Sequence, residues 1–597
     1  MLFSRLKQTS VRVNSICVYS SSFVTFVFVF ILFPIFLSAQ SINIIPLPKS
    51  AVNGEGGFQL TSAAVIGMND NSLLPQANYL QTELQKAVGW TIAVDPDESK
   101  ALIDLQLIKT AQPPGAYALK IDPGKITIQS SGNEGIFYGI VSLLQLLRNQ
   151  PPGNLINLST TSITDVPRYQ WRGFMLDESR HFFGKEKVKQ LLSWMAFYKL
   201  NKFHWHLSDA NGWRLEIKKY PRLTAVGGLG NYSDSLAAAK YYTQEDIKEI
   251  LAYAEDRFIT VVPEIDMPGH ASAANRAYPE FNGGSTRGYP NFTFNPANEN
   301  VYPFLGNILK EVSALFPSHM IHLGGDEVAL GIQAWAGRPD ITAMLIKNKF
   351  TSLADLEHYF FRRMADTVIS LGDKVLCWDE AAETDLPPEK TIVLWWRQNV
   401  PSQLTLALQK KYQVVLCPRL PLYFDFVQDK NHLSGRKWNG VLFNTLSDVY
   451  NFPDKLMPSG ELQSPQILGI QANLWTETVG SEKRLDFMIF PRIAALAEAA
   501  WTDSTKKNEN SFDERLKSNF PLYDKDGVYY YNPFDSSAHP EAIDFAPRIV
   551  KRSAKGRHHR HSDKSGARHH HHHTKKSTHS GQPEKRHRSK ARTKRKL

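Results

Sequence analysis

From residue 167 to about 503 the chain alternates between two hydrophobic periods. Short, nearly continuous apolar runs recur at Trp171–Asp177, Lys202–Leu207, Ile259–Ile265, Met320–Leu323, Lys374–Trp378, Thr391–Trp396, Gln413–Cys417 and Ile467–Leu474. Unbroken apolarity is what parallel strands covered on both faces require. Stretches with helical spacing lie between many of them, at 184–199, 243–256, 300–315 and 353–371. Thr243 followed by Asp246 predicts a helix N-cap with an acid in the first turn. Eight such strand–helix units predict an α/β fold, a (β/α)8 TIM barrel. Its last helix is expected at Phe490–Trp501, followed by a second helix and a short extended segment reaching 548.

The preceding segment reads as a smaller α+β domain. Strand-like runs at Ala63–Ile66, Ala101–Gln106, Tyr117–Ile121 and Lys125–Gln129 are broken by Gly, Pro and Asp, and helical patterns fall at 74–88 and 134–148. It carries no catalytic constellation. The predicted organisation is a signal peptide at 1–39, an N-terminal α+β domain at 40–165, a barrel catalytic domain at 166–548, and a disordered basic, His-rich tail at 549–597.

Charge sharpens the two ends. Arg5, Lys7 and Arg12 precede an apolar run from Phe23 to Leu37 and a small-residue site at Leu37–Ala39, the pattern of a secretory signal. The run is short for a transmembrane helix and contains Pro34, although an uncleaved anchor is an alternative. The implied location is periplasmic, cell-surface or secreted. The formal charge of +11 belongs to the ends: residues 551–597 hold 17 Lys or Arg against two acids, a net +15, and the leader adds +3, so the body is near −7. The tail also holds ten of the 19 histidines, including His569 to His573, and has too few apolar residues to build a core. It is a candidate for binding anionic polymers or an envelope surface by counterion release. A solvated extension without a partner explains it equally well. Outside the leader, Cys377 and Cys417 sit in apolar strand runs and read as two free thiols.

Candidate chemistry gathers where the predicted strands end, the usual position of barrel active sites. The sharpest feature is Asp326 and Glu327, in Ile321-His-Leu-Gly-Gly-Asp-Glu-Val328. Neighbours on a strand point to opposite faces, so these acids should diverge. They are therefore poorly placed to be the facing nucleophile and acid of an ordinary retaining glycosidase. Other strand ends carry Arg172, Asp177, His204, His206, Asp209, Glu264, Asp266, His270, Trp378, Asp379, Glu380, Trp396, Arg397, Tyr423, Asp425, Trp475 and Glu477. Indole faces suit the apolar faces of sugar rings, and carboxylates suit hydroxyls. No Walker-type or dinucleotide-binding glycine loop opens a helix, and nothing points to a specific nucleic-acid partner.

Five segments carry a family resemblance. Arg172-Gly-Phe-Met-Leu-Asp-Glu-Ser-Arg-His181, Asn201-Lys-Phe-His-Trp-His-Leu-Ser-Asp209, Pro263-Glu-Ile-Asp-Met-Pro-Gly-His270, His322-Leu-Gly-Gly-Asp-Glu-Val328 and Gln471-Ala-Asn-Leu-Trp-Thr-Glu477 resemble, in order, the motifs of family 20 glycoside hydrolases, the β-N-acetylhexosaminidases. The resemblance implies an exo-acting hydrolase acting on glycans or chitooligosaccharides with terminal β-linked N-acetylglucosamine or N-acetylgalactosamine. It implies no cofactor and no metal. It further implies that the substrate's 2-acetamido oxygen is the nucleophile, giving an oxazolinium intermediate. Glu327 then matches the general acid/base and Asp326 the residue that orients the acetamido group. Asp209 and His270 match a hydrogen-bonded relay behind the acid. Trp378, Trp396 and Trp475 match indoles boxing the acetamido methyl, and Tyr423 the hydroxyl on its carbonyl. Arg172, Asp425 and Glu477 match residues gripping sugar hydroxyls. The chain departs from the pattern at Ala210, where a second Asp is frequent, and at Ala271, where a Ser is common.

Two other readings compete. A non-catalytic glycan-binding barrel would bind saccharide without releasing product. A metal-dependent barrel hydrolase would use the pair His204-x-His206.

Overall fold

A computed structural model describes residues 42–148, 153 and 155–545. The signal peptide and basic tail expected from the sequence lie outside these residues. The barrel is built from β8 (Trp171–Asp177), β9 (Lys202–His206), β10 (Thr260–Glu264), β11 (Met320–His322), β12 (Lys374–Trp378), β13 (Thr391–Trp395), β14 (Gln413–Leu416) and β15 (Ile467–Leu474). All eight are parallel, and β15 closes onto β8. Every residue of β8 is buried, as its unbroken apolar run predicts. Register then places chemistry. Asp177 pairs with His206, His206 with Glu264, and Glu264 with His322, so one polar layer crosses four strands at their C-terminal ends.

Helices at Lys185–Phe197, Gln244–Glu255, Val301–Leu315 and Leu353–Ser370 follow the predicted spacing. The cap at Thr243 is a reciprocal box: its hydroxyl accepts from the Asp246 N–H at 3.0 Å, and the Asp246 carboxylate accepts from the Thr243 N–H at 3.1 Å. The two-residue period of strands sorts the tryptophans. Trp205 and Trp395 pack in the layer between strands and helices, whereas Trp378, Trp396 and Trp475 join the cluster inside the barrel. Cys377 and Cys417 are buried free thiols, and burial pushes both well above the ordinary thiol range.

Ahead of the barrel lies a seven-stranded sheet of β1 (Ser50–Thr61), β2 (Val65–Met68), β3 (Ala93–Val94), β4 (Ile103–Leu107), β5 (Tyr117–Asp122), β6 (Lys125–Ser130) and β7 (Leu155–Asp165), ordered β1-β7-β5-β6-β4-β2-β3. Helices α1 (Leu74–Val88) and α2 (Asn133–Arg148) pack on it. In β5, Tyr117, Leu119 and Ile121 turn inward in strict alternation. The β1–β7 ribbon was not predicted. β1 contains three glycines and is mostly exposed, with only Phe58 and Leu60 buried, so it carries almost no hydrophobic period. Antiparallel pairing with β7 makes it a strand.

Candidate active site

Asp326 and Glu327 sit in the loop after β11, which ends at His322. The strand alternation expected to part them does not apply, since a turn places both, and an oxygen of each lies within 3.7 Å of His270 Nε2. Gly324 and Gly325 take φ of 68° and 86°, and Glu327 itself takes 50°. The left-handed path suits glycine, and at Gly324 a Cβ would lie 1.8 Å from the Asp266 carboxylate. Glu327 adopts the same region with a full side chain, a strain of order 1–3 kcal/mol of the kind found at functional positions. The outcome is an asymmetric pair. The Asp326 side chain is 11 % exposed and that of Glu327 43 %. Oδ1 of Asp326 is buried with no hydrogen-bond partner among the described residues.

A chain of charged groups stands behind them. His270 Nε2 lies 3.6 Å from Asp326 and 3.7 Å from Glu327, while its Nδ1 is 3.0 Å from Asp209 Oδ1. Asp209 is also held by Arg180 at 2.7 Å. Burial opposes charge on His270, but the Asp209 and Asp326 carboxylates outweigh it and push its pKa up to about 9. The ring is therefore cationic at neutral pH. Burial raises Asp266 and Asp326 well above the carboxylate range; Glu264 and Asp209 push Asp266 further, and Asp266 pushes Asp326. The His270 cation draws Asp326 back down.

The indoles form the adjoining wall. Trp378 donates Nε1–H to Glu264 at 2.8 Å, and Trp396 donates to Glu380 at 2.9 Å. Tyr423 stacks on Trp396 with ring centroids 6.2 Å apart and an 11° interplanar angle, and it also meets Trp475. Asp379, given no role by the sequence, accepts the backbone N–H groups of Trp396 and Arg397 at 3.1 Å each and so fixes that wall. At the far end Asp425 lies 2.9 Å from Arg436 Nε, and Glu477 accepts from the same guanidinium. Burial raises Asp425 to about 7 against the pull of Arg436. Asp425 Oδ1 and Glu477 Oε2 have no partner among the described residues. Free acceptors beside aromatic faces are what a sugar's hydroxyls and ring require.

Comparison with known proteins decides the family. Residues 169–504 match the model of the Glycosyl hydrolase family 20 catalytic domain, and residues 41–166 match that of Glycosyl hydrolase family 20, domain 2. The chain belongs to glycosyl hydrolase family 20. It is 36% identical over 478 residues to a β-hexosaminidase of Vibrio furnissii, covering 77% of this chain and 76% of that protein. The family 20 exo-β-N-acetylglucosaminidase of Vibrio harveyi, solved with N-acetylglucosamine, is similar with a TM-score of 0.76 and 33% identity, over 83% of this chain and 79% of that one. The β-N-acetylhexosaminidase of Bacteroides fragilis gives a TM-score of 0.72 at 30% identity, over 82% and 96% of the two chains. The protein is thus a family 20 glycoside hydrolase on a (β/α)8 barrel, and its relatives are β-hexosaminidases.

One residue expected at the family 20 site lies elsewhere. Arg172 is the second residue of β8, about 16 Å of strand before the Asp177 end. Its guanidinium donates to the carbonyls of Lys199 and Tyr169 and to the Tyr138 hydroxyl, and it packs over Trp501. That position is the floor of the barrel, where α2 and the strands' N-terminal ends meet. The arginine at the mouth is Arg180, bound to Asp209 and 4.9 Å over the Trp475 ring. Both arginines belong to one motif. The rule that catalytic groups follow the C-terminal ends of barrel strands selects Arg180. Arg436, in a loop without motif context, left no sequence signal. Arg180→Ala is expected to lower kcat/KM by at least 10²-fold, because it strips a buried carboxylate of its partner at a cost of roughly 3–5 kcal/mol. Arg172→Met should leave KM near wild type while lowering the thermal midpoint. Steady-state kinetics with calorimetry on both variants separates the two.

The histidine pair considered for metal binding is committed otherwise. His204 Nε2 lies 3.0 Å from Glu264, its Nδ1 accepts from Gln471, and both ring nitrogens of His206 meet carboxylates. Each also stands in a group of ligand-type side chains, His204 with Glu264 and His322 and His206 with Asp209 and Asp266, and a metal there would displace these contacts. A separate cleft of about 440 Å³ is lined by Tyr79, Leu144, Trp194, Phe197 and Arg257, and none of the strand-end acids borders it.

Proposed function

We propose that the protein is an exo-acting β-N-acetylhexosaminidase that releases terminal β-linked N-acetylglucosamine or N-acetylgalactosamine with retention. The observation that carries this reading is the asymmetry of the acid pair: Asp326 is buried with a free oxygen, and Glu327 is exposed at the mouth. A buried, unpartnered carboxylate oxygen suits Asp326 to an acetamido N–H, and exposure at the mouth suits Glu327 to proton exchange with a leaving group and water. They can divide the labour if the nucleophile is the substrate.

In that mechanism the acetamido oxygen attacks the anomeric carbon as the glycosidic C–O bond breaks. The Glu327 carboxyl gives its proton to the leaving oxygen. Asp326 accepts from the acetamido N–H and faces the positive charge of the oxazolinium. Tyr423 donates its hydroxyl to the acetamido oxygen. Trp378, Trp396 and Trp475 shield the methyl, and Arg180, Asp425 and Glu477 hold the hydroxyls. Glu327, now a carboxylate, takes a proton from the water that attacks the anomeric carbon from the leaving-group side. The ring opens, the acetamide reforms, and the β-configuration is kept. The Vibrio harveyi relative, an exo-β-N-acetylglucosaminidase, supports the exo reading for this chain.

Paired aryl glycosides differing only at C2 test the reading. The 2-hydroxy sugar should turn over at least about 10³-fold more slowly than the 2-acetamido sugar, because the internal nucleophile and its high effective molarity are lost. Equal rates would sink it. The leader-like residues 1–39 support export, and the charge of residues 551–597 supports contact with anionic polymers or an envelope surface.

A further inference from the structure

His206 ends β9 and lies between two carboxylates from different elements. Its Nδ1 is 2.5 Å from Glu264 Oε2, and its Nε2 is 2.9 Å from Asp209 Oδ2. A neutral imidazole has one N–H and one lone pair, so it can satisfy one of these anions but turns a lone pair on the other. Moving the proton to a carboxylate does not relieve the conflict, because both carboxylates are already surrounded by donors. Oε2 of Glu264 also lies 3.0 Å from Nε2 of His204, whose Nδ1 accepts from the Gln471 amide and whose tautomer is thereby set. Oε1 accepts the Trp378 indole N–H and lies 3.0 Å from His322 Nδ1. Asp209 holds Arg180 on Oδ2, and on Oδ1 it holds His270 and the Ala210 N–H. Donor-rich surroundings of this kind keep a carboxylate ionised.

We propose that His206 is an imidazolium across the working range of the enzyme and acts as a positioning residue, locking Asp209 as the ionised acceptor for His270. Through Glu264 the same bridge joins the proton relay to the Trp378 wall of the substrate site. The inference rests on the assignment of Glu327 as acid/base. It extends the relay into the barrel by two groups: Glu264, His206, Asp209, His270 and then the acid pair. The register of β9 on β10 produces it, since His206 and Glu264 are paired residues.

Other charges face the ring. Arg180 Nη1 stands 3.4 Å from Nε2 and 3.5 Å from Asp177, Asp266 belongs to the cluster with His206 and Asp209, and His204 lies on the same strand. The Trp475 edge packs at 4.9 Å. Burial alone would discharge His206, but the Glu264 and Asp209 anions prevail and hold its pKa well above that of an ordinary imidazole. His204, one turn of the pleat away, is left neutral by the same burial, at about 4.

The direct test is imidazole N–H NMR of the ¹⁵N-histidine-labelled full chain over roughly pH 5 to 9, the interval in which an ordinary histidine titrates. Two downfield N–H protons should belong to one ring, stay constant across the interval and vanish in His206→Gln. A single N–H, or a ring that titrates within the interval, overturns the proposal. Should the variant not fold, through-space contact to the Trp475 indole assigns the ring in the wild type. In folded His206→Gln, Asp209 loses a cation that holds it ionised and in place, and its hold on the His270 proton weakens. The alkaline limb of kcat/KM should then move down by about half a pH unit. A profile superimposable on the wild type also overturns the proposal. Hydrolysis of the 2-acetamido substrate is scored separately. An active enzyme with a neutral His206 refutes the bridge alone, and an inactive one with a charged His206 refutes the hexosaminidase reading alone.

Discussion

Glu327→Gln is expected to lower kcat/KM on an N-acetylated disaccharide by about 10³-fold or more, within the range of general acid–base catalysis. The loss should depend on the leaving group. A sugar alkoxide needs a proton as it departs, whereas a nitrophenolate does not. Cleavage of nitrophenyl glycosides should therefore suffer far less in its first step. The variant should fold, because the Glu327 side chain is 43 % exposed and lies 3.7 Å from its nearest charged partner, His270. Steady-state kinetics on the two substrate types checks this. An equal loss on both would remove Glu327 from the acid role, and wild-type turnover would end the assignment. The His270 cation beside it also predicts an alkaline limit. As pH rises through about 9, His270 loses its proton and the charge that orients the pair.

Asp326→Asn should cost roughly 10²–10³-fold in kcat, the usual effect of removing one preorganised electrostatic group. Only the carboxylate both accepts from the acetamido N–H and offsets the positive charge that develops there. The amide turns a donor toward the same site. The loss should be confined to 2-acetamido substrates. The pH profile supplies an independent check with a definite sign. Asp326 is active when ionised, and burial together with Asp266 holds its pKa well above the ordinary value of about 3.9. Activity of the wild type should therefore fall on the acid side at a higher pH than an ordinary carboxylate dictates. Asp326→Asn should lose that limb. An unchanged acid limb would assign it to another group.

Much of this protein was legible from its sequence. Unbroken apolar runs such as Trp171–Asp177 announce strands covered on both faces, and β8 spans those same residues. The capping pair Thr243 and Asp246 is a local interaction and forms as predicted. The order of strand-end acids and indoles located the site, because a barrel brings those ends together whatever lies between them. The β1 strand stayed hidden, since its glycine-rich, exposed residues carry no period and acquire structure only from β7.

Sequence alone therefore determined the architecture and the strand ends at which the candidate residues gather. Tertiary structure decided which arginine stands at the mouth of the barrel. Arg172 and Arg180 share one motif, and only the direction of β8 sends the first to the floor and the second to the mouth. It also decided the direction in which the charges of the buried groups are pushed. Asp209, Glu264 and Asp326 come from three separate strand ends, and the fold buries them within reach of His206 and His270. Burial and Coulomb energy depend on distance in space, so no residue's neighbours in the chain could have set them.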